Sequence, residues 1–178
     1  MDKKTAVAVI VGSDSDLPVI EETTKVLEKL SISYSVSVAS AHRTPELLKN
    51  IINASVKNGV KVFIAAAGMS AALPGVVASE TILPVIGVPM EGKHLASQDS
   101  LFSVSQMPPG IPVGCVAVGK AGAVNAAVLA AEILAVSDFK IAKKLLQYRE
   151  NMRNEITLKH NKLQNMGIKK YLEEKNGK

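Results

Sequence analysis

Tryptophan is absent from the 178-residue chain, and aromatic residues make up only 3% of it. So few rings cannot build a base-stacking platform for single-stranded nucleic acid. A single cysteine, Cys115, allows no disulfide framework, which fits a reducing compartment. Inside V-G-C-V it reads as a small buried thiol. No apolar run reaches the ~20 residues of a membrane span. The most apolar stretch, residues 121–136, contains Asn125 and Glu132. The chain enters a strand-like run almost at once and shows no apolar leader with a cleavage site. A cytoplasmic protein without membrane contact is expected. Three scattered histidines and one cysteine show no metal-ligand spacing, so neither metal nor cofactor is expected. Gly119-Lys120 lacks the lead-in and the following Ser/Thr of a P-loop.

What is present is aliphatic. Forty-seven per cent of the residues are apolar, mostly Ala, Val, Ile and Leu, a composition suited to buried parallel strands under closely packed helices. Net charge is +5, but from Lys140 onward Lys and Arg exceed Asp and Glu by seven, and the residues before it sum to −2. The basicity belongs to a helical tail with a solvated face, and no nucleic-acid partner is expected.

Short apolar runs alternate with helical periodicities. Ala6–Val11, Ser33–Val38, Val60–Ala66, Pro84–Val88 and Pro112–Val118 read as strands. Val19, Ile20, Thr23, Val26, Leu27 and Leu30 recur at helical spacing. Thr44-Pro45-Glu46 is a helix start with Thr as N-cap, and Gly59 is its left-handed stop. Leu101–Val104 is the helical core of an irregular segment that ends in Q-M-P-P-G-I-P. This alternation predicts an α/β three-layer sandwich, flavodoxin- or Rossmann-like, with a parallel sheet and helices on both faces. Residues 1–138 form the α/β domain, and residues 139–178 a basic helical extension of it.

In such folds ligands sit beyond the carboxyl ends of the strands, and three loops there carry chemistry. Gly12-Ser13-Asp14-Ser15-Asp16 offers small residues, two hydroxyls and a helix start to a phosphate. The same residues are equally what a helix start prefers for capping. The loop is not G-x-G-x-x-G and no acidic residue closes the second strand, which argues against a dinucleotide. Asp16 either caps the helix or accepts bonds from ribose hydroxyls. Loop two, Ser40-Ala41-His42-Arg43, pairs a proton-transfer group with a forked cation. Loop three, Ala67–Gly75, offers backbone amides and the Ser70 hydroxyl but no base or nucleophile. The residues alone point to an enzyme or binder for a phosphorylated, ribosylated small molecule, with His42 moving a proton.

G-S-D-S-D, S-A-H-R-T-P, A-G-M-S-A-A-L-P-G, P-V-I-G-V-P, D-S-L-x-S-x-x-Q-M-P-P-G-I-P-V and G-K-A-G-A-x-N-A-A occur in that order. Together they resemble the N5-carboxyaminoimidazole ribonucleotide mutases, the catalytic-subunit type of phosphoribosylaminoimidazole carboxylase. The resemblance runs from about Val7 to Leu134. It implies a flavodoxin-like homo-octamer with sites between subunits. The implied reaction isomerises a phosphoribosyl aminoimidazole substrate, N5-carboxyaminoimidazole ribonucleotide, to its 4-carboxy isomer in purine synthesis, without metal or cofactor. It assigns the proton shuttle to His42 and phosphate and ribose binding to Ser13, Asp16 and Arg43. Ser15, Ser40, Ala41 and Gly68 would line the same pocket.

Loop three departs from that family, which has a second His where this chain has Ala72. Ser70 and Ala72 match the sister class that carboxylates aminoimidazole ribonucleotide directly with carbon dioxide, but Met69 and Ala71 do not. The pyridinium carboxylases of nickel-pincer cofactor synthesis share a similar loop but neither S-A-H-R-T-P nor Q-M-P-P-G. A non-catalytic nucleotide-binding protein would keep Ser13, Asp16 and Arg43 while tolerating loss of His42.

Overall fold

A computed structural model describes residues 5–177. It divides into two compact units, the first ending at Ala142 and the second beginning at Lys143. The first unit is built on a five-stranded sheet, β1 (Val7–Val11), β2 (Tyr34–Val38), β3 (Val62–Ala67), β4 (Val85–Pro89) and β5 (Gly114–Cys115). The order is β2-β1-β3-β4-β5 and every pairing is parallel. This is the flavodoxin-like arrangement, whose chain direction across the sheet reverses between β1 and β3.

The central strands VAVIV, VFIAAA and VIGVP are buried along their whole length. They do not alternate with polar residues because helices cover both faces. Ala8, Ile10, Phe63 and Ala65 share one core with Leu48 and Ile52 of α2 (Pro45–Lys57), Leu73 and Val77 of α3 (Leu73–Ser79), and Val104 of α4 (Gln98–Ser105). The opposite face is covered by α1 (Leu17–Lys29) and α5 (Gly119–Ala135). The two edge strands are partly open: Val36 and Val38 of β2 are 39% and 44% exposed, and neither residue of β5 is fully buried. The second unit lies within a helical segment, α6 (Phe139–Lys175), which breaks at Gly167 (φ 74°, ψ 161°). Lys162 pairs with Glu174 across that break.

Three local expectations change. The fifth strand shrinks from seven residues to Gly114–Cys115. Pro112 has no N–H to give a ladder, and Val118 is already the N-cap of α5. Thr44 stands at the N-cap of α2 but its hydroxyl does not cap; it accepts from Ser40 N (2.9 Å) instead. Cys115 is half-buried rather than fully buried, and that burial raises its thiol above the usual range. Pro45 and Glu46 open α2 as expected, and Gly59 takes the left-handed conformation (φ 90°) beyond its end.

The Ala-rich helix is spent inside the domain. Gly122, Ala123, Ala126, Ala127, Ala130 and Ala131 of α5 are buried, and Thr23 of α1 donates its hydroxyl to Ala123 O at 2.8 Å. A Cβ on Gly122 would stand 1.7 Å from Ala117 O and 3.3 Å from Val88 Cγ1. Helix propensity favours alanine over glycine by about 1 kcal/mol, but the clash is with backbone and cannot be relieved by a rotamer. Gly122→Ala is therefore expected to destabilise the fold by about 1–3 kcal/mol in urea melts, the scale of core overpacking.

Candidate active site

Register sets the height of the site. Val11 pairs with Val38 and with Ala66, and Ala66 with Val88. The carboxyl ends of four strands are therefore level, and their loops leave the sheet side by side. The ladder extends one residue further, through Gly12 N to Ala66 O (3.1 Å), Ala39 N to Val11 O (2.9 Å) and Met90 N to Ala67 O (2.9 Å). Above these bonds lies a cavity of about 610 Å³, lined by segments from all four loops. It straddles the reversal point between β1 and β3, where doubly wound sheets open a crevice.

Loop one turns through a single 3-10 turn, Asp14–Asp16, before α1 begins. Ser13 caps that turn, its Oγ accepting from Ser15 N (3.3 Å) and from the Ser15 hydroxyl (2.9 Å) and donating to Asp14 Oδ1 (3.2 Å). Capping and cavity lining, the two alternatives the sequence poses, thus coexist in Ser13. Asp16 occupies the N-cap position of α1 but makes no capping hydrogen bond. Burial pushes its carboxyl above the ordinary aspartate range; the Ser15 hydroxyl opposes that shift and the nearby charge of Asp14 adds to it.

Loop two is held from within and from outside. The Thr44 hydroxyl clamps Ser40 through both its N–H and its carbonyl, and Ser40 Oγ accepts from Arg43 N (3.2 Å) and Nε (3.4 Å). Arg43 Nη2 reaches across to donate to Gly12 O at 3.2 Å, tying loop two to loop one. With two of five side-chain donors used, the guanidinium keeps capacity for an anion. His42 is exposed on the cavity wall and makes no hydrogen bond or ion pair among the described residues. Loop three is braced by Ala71 N to Met69 O (2.8 Å) and Ala72 N to Ser70 O (2.7 Å). It carries Met69 in the left-handed region (φ 56°), a conformation that costs a non-glycine residue on the order of 1 kcal/mol.

Ser13, Ser15, Asp16, Ser40, Ala41, His42, Arg43, Gly68 and Ser70 all line this one cavity. Ala72 contributes a methyl group to it, where a larger polar side chain would have projected. Sequence reasoning missed the fourth wall, Met90, Glu91 and Gly92. Its signal was available: these residues follow β4 at its carboxyl end, the same position that singled out His42.

Fold and cleft define the class, a flavodoxin-like α/β protein with a strand-end pocket carrying hydroxyls, an imidazole and a guanidinium. The chain belongs to the AIR carboxylase family, whose profile matches residues 6–155. It is 50% identical over 167 residues to the N5-carboxyaminoimidazole ribonucleotide mutase of Pyrococcus abyssi, covering 94% of this chain and 95% of that one. The mutase of Haemophilus influenzae is 48% identical over 154 residues, covering 86% and 94%. Among solved structures, Treponema denticola PurE superposes with a TM-score of 0.82 at 30% identity, covering 89% of this chain and 98% of that one.

A carboxyl raised by the fold prefers to be neutral there, so its ionisation opposes folding. Asp16 leaves the molecule most stable below the unfolded aspartate pKa, and that stability is lost as pH rises through the raised value. Asp16→Asn is therefore expected to raise the melting temperature near pH 7. The gain should vanish below about pH 4, where both forms are neutral. A pH series of thermal melts checks it.

Proposed function

We propose that this chain converts N5-carboxyaminoimidazole ribonucleotide to 4-carboxy-5-aminoimidazole ribonucleotide, with His42 moving the proton. The observation that carries the reading is His42 itself, an imidazole without a hydrogen-bond or ion-pair partner among the described residues, on the wall of a strand-end cavity in a member of this family. Arg43, Ser13 and Ser15 hold the phosphate, and Asp16 accepts from ribose hydroxyls. Ser40, Ala41 and Gly68 shape the floor.

The chemistry closes on one proton. As the N5–carboxyl bond breaks, its electron pair stays on nitrogen, which takes a proton from His42, and carbon dioxide is released into the cavity. Ring carbon 4 attacks that carbon dioxide, forming the new carbon–carbon bond. Neutral His42 then removes the proton from carbon 4 and is ready for another cycle. The net change is a carboxylate moved from nitrogen to carbon 4 and one proton moved from carbon 4 to nitrogen.

Ala72 marks the departure from the family loop, and direct carboxylation of aminoimidazole ribonucleotide is the reading it favours. The mutase names of relatives at 45–50% identity support isomerisation instead. Ser70 or the amides of the Gly68–Ala72 turn replace the missing hydrogen bond at a cost of ~0.5–1.5 kcal/mol.

A cytoplasmic homo-octamer is the assembly we propose. Its support is exposed apolar surface on the first unit, including Ile82, Phe102 and the β2 edge, rather than α5, whose small face is used internally. Residues 139–178 extend the same domain.

Two measurements test the reading. His42→Asn should keep ligand binding and lose turnover by at least ~10²-fold, the scale of general acid–base catalysis; near-normal turnover in a folded variant removes His42 from the mechanism. The enzyme should form the 4-carboxy product faster from the carbamate than from aminoimidazole ribonucleotide with bicarbonate and carbonic anhydrase. The reverse order assigns direct carboxylation, and a monomer by light scattering rejects the octamer.

A further inference from the structure

Glu91 stands at the far end of the row of loops from Arg43. The strand order places loop two at β2 and Glu91 just beyond β4, with β1 and β3 between them. Arg43 thus stands at one end of the cavity and Glu91 at the other, with Asp16 of loop one and mostly small or hydroxyl-bearing residues between. Glu91 makes no hydrogen bond or ion pair among the described residues, and Lys120, beside Gly119 at the start of α5, is engaged by Glu22 at 3.2 Å.

Its position is nevertheless built. A Cβ placed on Gly119, the first residue of α5, would lie 2.3 Å from Glu91 Oε1, 2.7 Å from Cγ and 2.8 Å from Cδ. The side chain thus rests flat on the first residue of α5, which has no side chain and takes a backbone conformation (φ 66°) suited to glycine. Val118, the N-cap, has no side chain that satisfies the first turn, and the positive end of a helix favours a carboxylate beside it. The fold keeps the carboxylate in place without pairing it.

A carboxylate offers acceptors only, so its complement in a ligand is an N–H or O–H donor. Resting on the substrate class assigned above, we propose that Glu91 is a specificity residue that accepts a hydrogen bond from the exocyclic 5-nitrogen of the aminoimidazole ring. That nitrogen bears one hydrogen in the carbamate and two in the freed amine and in the 4-carboxy product. The contact therefore persists through the reaction and is fullest once the carboxyl group has left nitrogen. An anion there also opposes a reversed ligand, whose phosphate would meet Glu91 rather than Arg43.

The test is calorimetric, on the whole chain, with aminoimidazole ribonucleotide and imidazole ribonucleotide, which lacks the amine. The wild type should prefer the amino compound by at least about tenfold, the scale of a hydrogen bond to a charged group. Glu91→Ala should erase that preference while leaving affinity for the des-amino compound within about twofold. Glu91→Gln, which keeps an acceptor, should restore part of it. Equal weakening of both ligands in Glu91→Ala, or no preference in the wild type, would overturn the proposal. Failure of the wild type to bind either ribonucleotide would overturn the substrate assignment and the proposal together.

Discussion

Everything at the site depends on four parallel strands ending at one level. Parallel pairing carries evenly spaced, slanted hydrogen bonds, and a shift of one residue would turn every side chain to the other face. With β1, β3 and β4 buried on both faces by aliphatic residues, such a shift would put Phe63 and Ile64 into each other's packing environments. The core therefore enforces the register, and the register carries Gly12, Ser40, Gly68 and Met90 to a common rim. The loops are short because the strand ends already lie where the ligand must be met.

On that rim, specificity is assembled from hydrogen bonds that bypass regular structure. Thr44 forgoes helix capping to clamp Ser40, and Arg43 spans from loop two to a carbonyl of loop one. Ser13 closes a 3-10 turn and also lines the cavity. These ties hold the hydroxyls and the guanidinium in place before any ligand arrives, which lowers the ordering cost of binding. His42 and Glu91 are left out of the network. Neither has a hydrogen bond or ion pair among the described residues, which is what the roles proposed for them require.

The central strands were legible because full burial writes itself as unbroken aliphatic runs, and the loops because Gly, Ser and Asp cluster where those runs stop. Ser13, Ser15, Asp16, His42, Arg43 and Ser70 could be named from the loops at those strand ends, whereas Ser40, Ala41 and Gly68 came with the family resemblance. β5 was overread because Val and Cys look like a strand wherever they fall; what ends it is an edge position and a proline, visible only once its neighbour is known. Thr44 does stand at the N-cap, but the partner of its hydroxyl was not legible, because two local partners compete for it and sequence does not rank them. Glu91 was passed over because its meaning lies in Gly119, 28 residues away and on another element.

The contact between α1 and α5 has a consequence for how the protein can vary. Apart from Leu134 near its end, the buried residues of α5 are alanine and glycine, with almost no side chain left to remove, and Thr23 is fastened to a helix carbonyl. Variation there runs in one direction only: a substitution on α5 adds atoms to space that does not exist. A larger residue on one helix can enter only with a smaller one on the other, so the two helices must drift as a pair. The surface of the same domain can wander freely around an axis whose spacing is set by the absence of side chains.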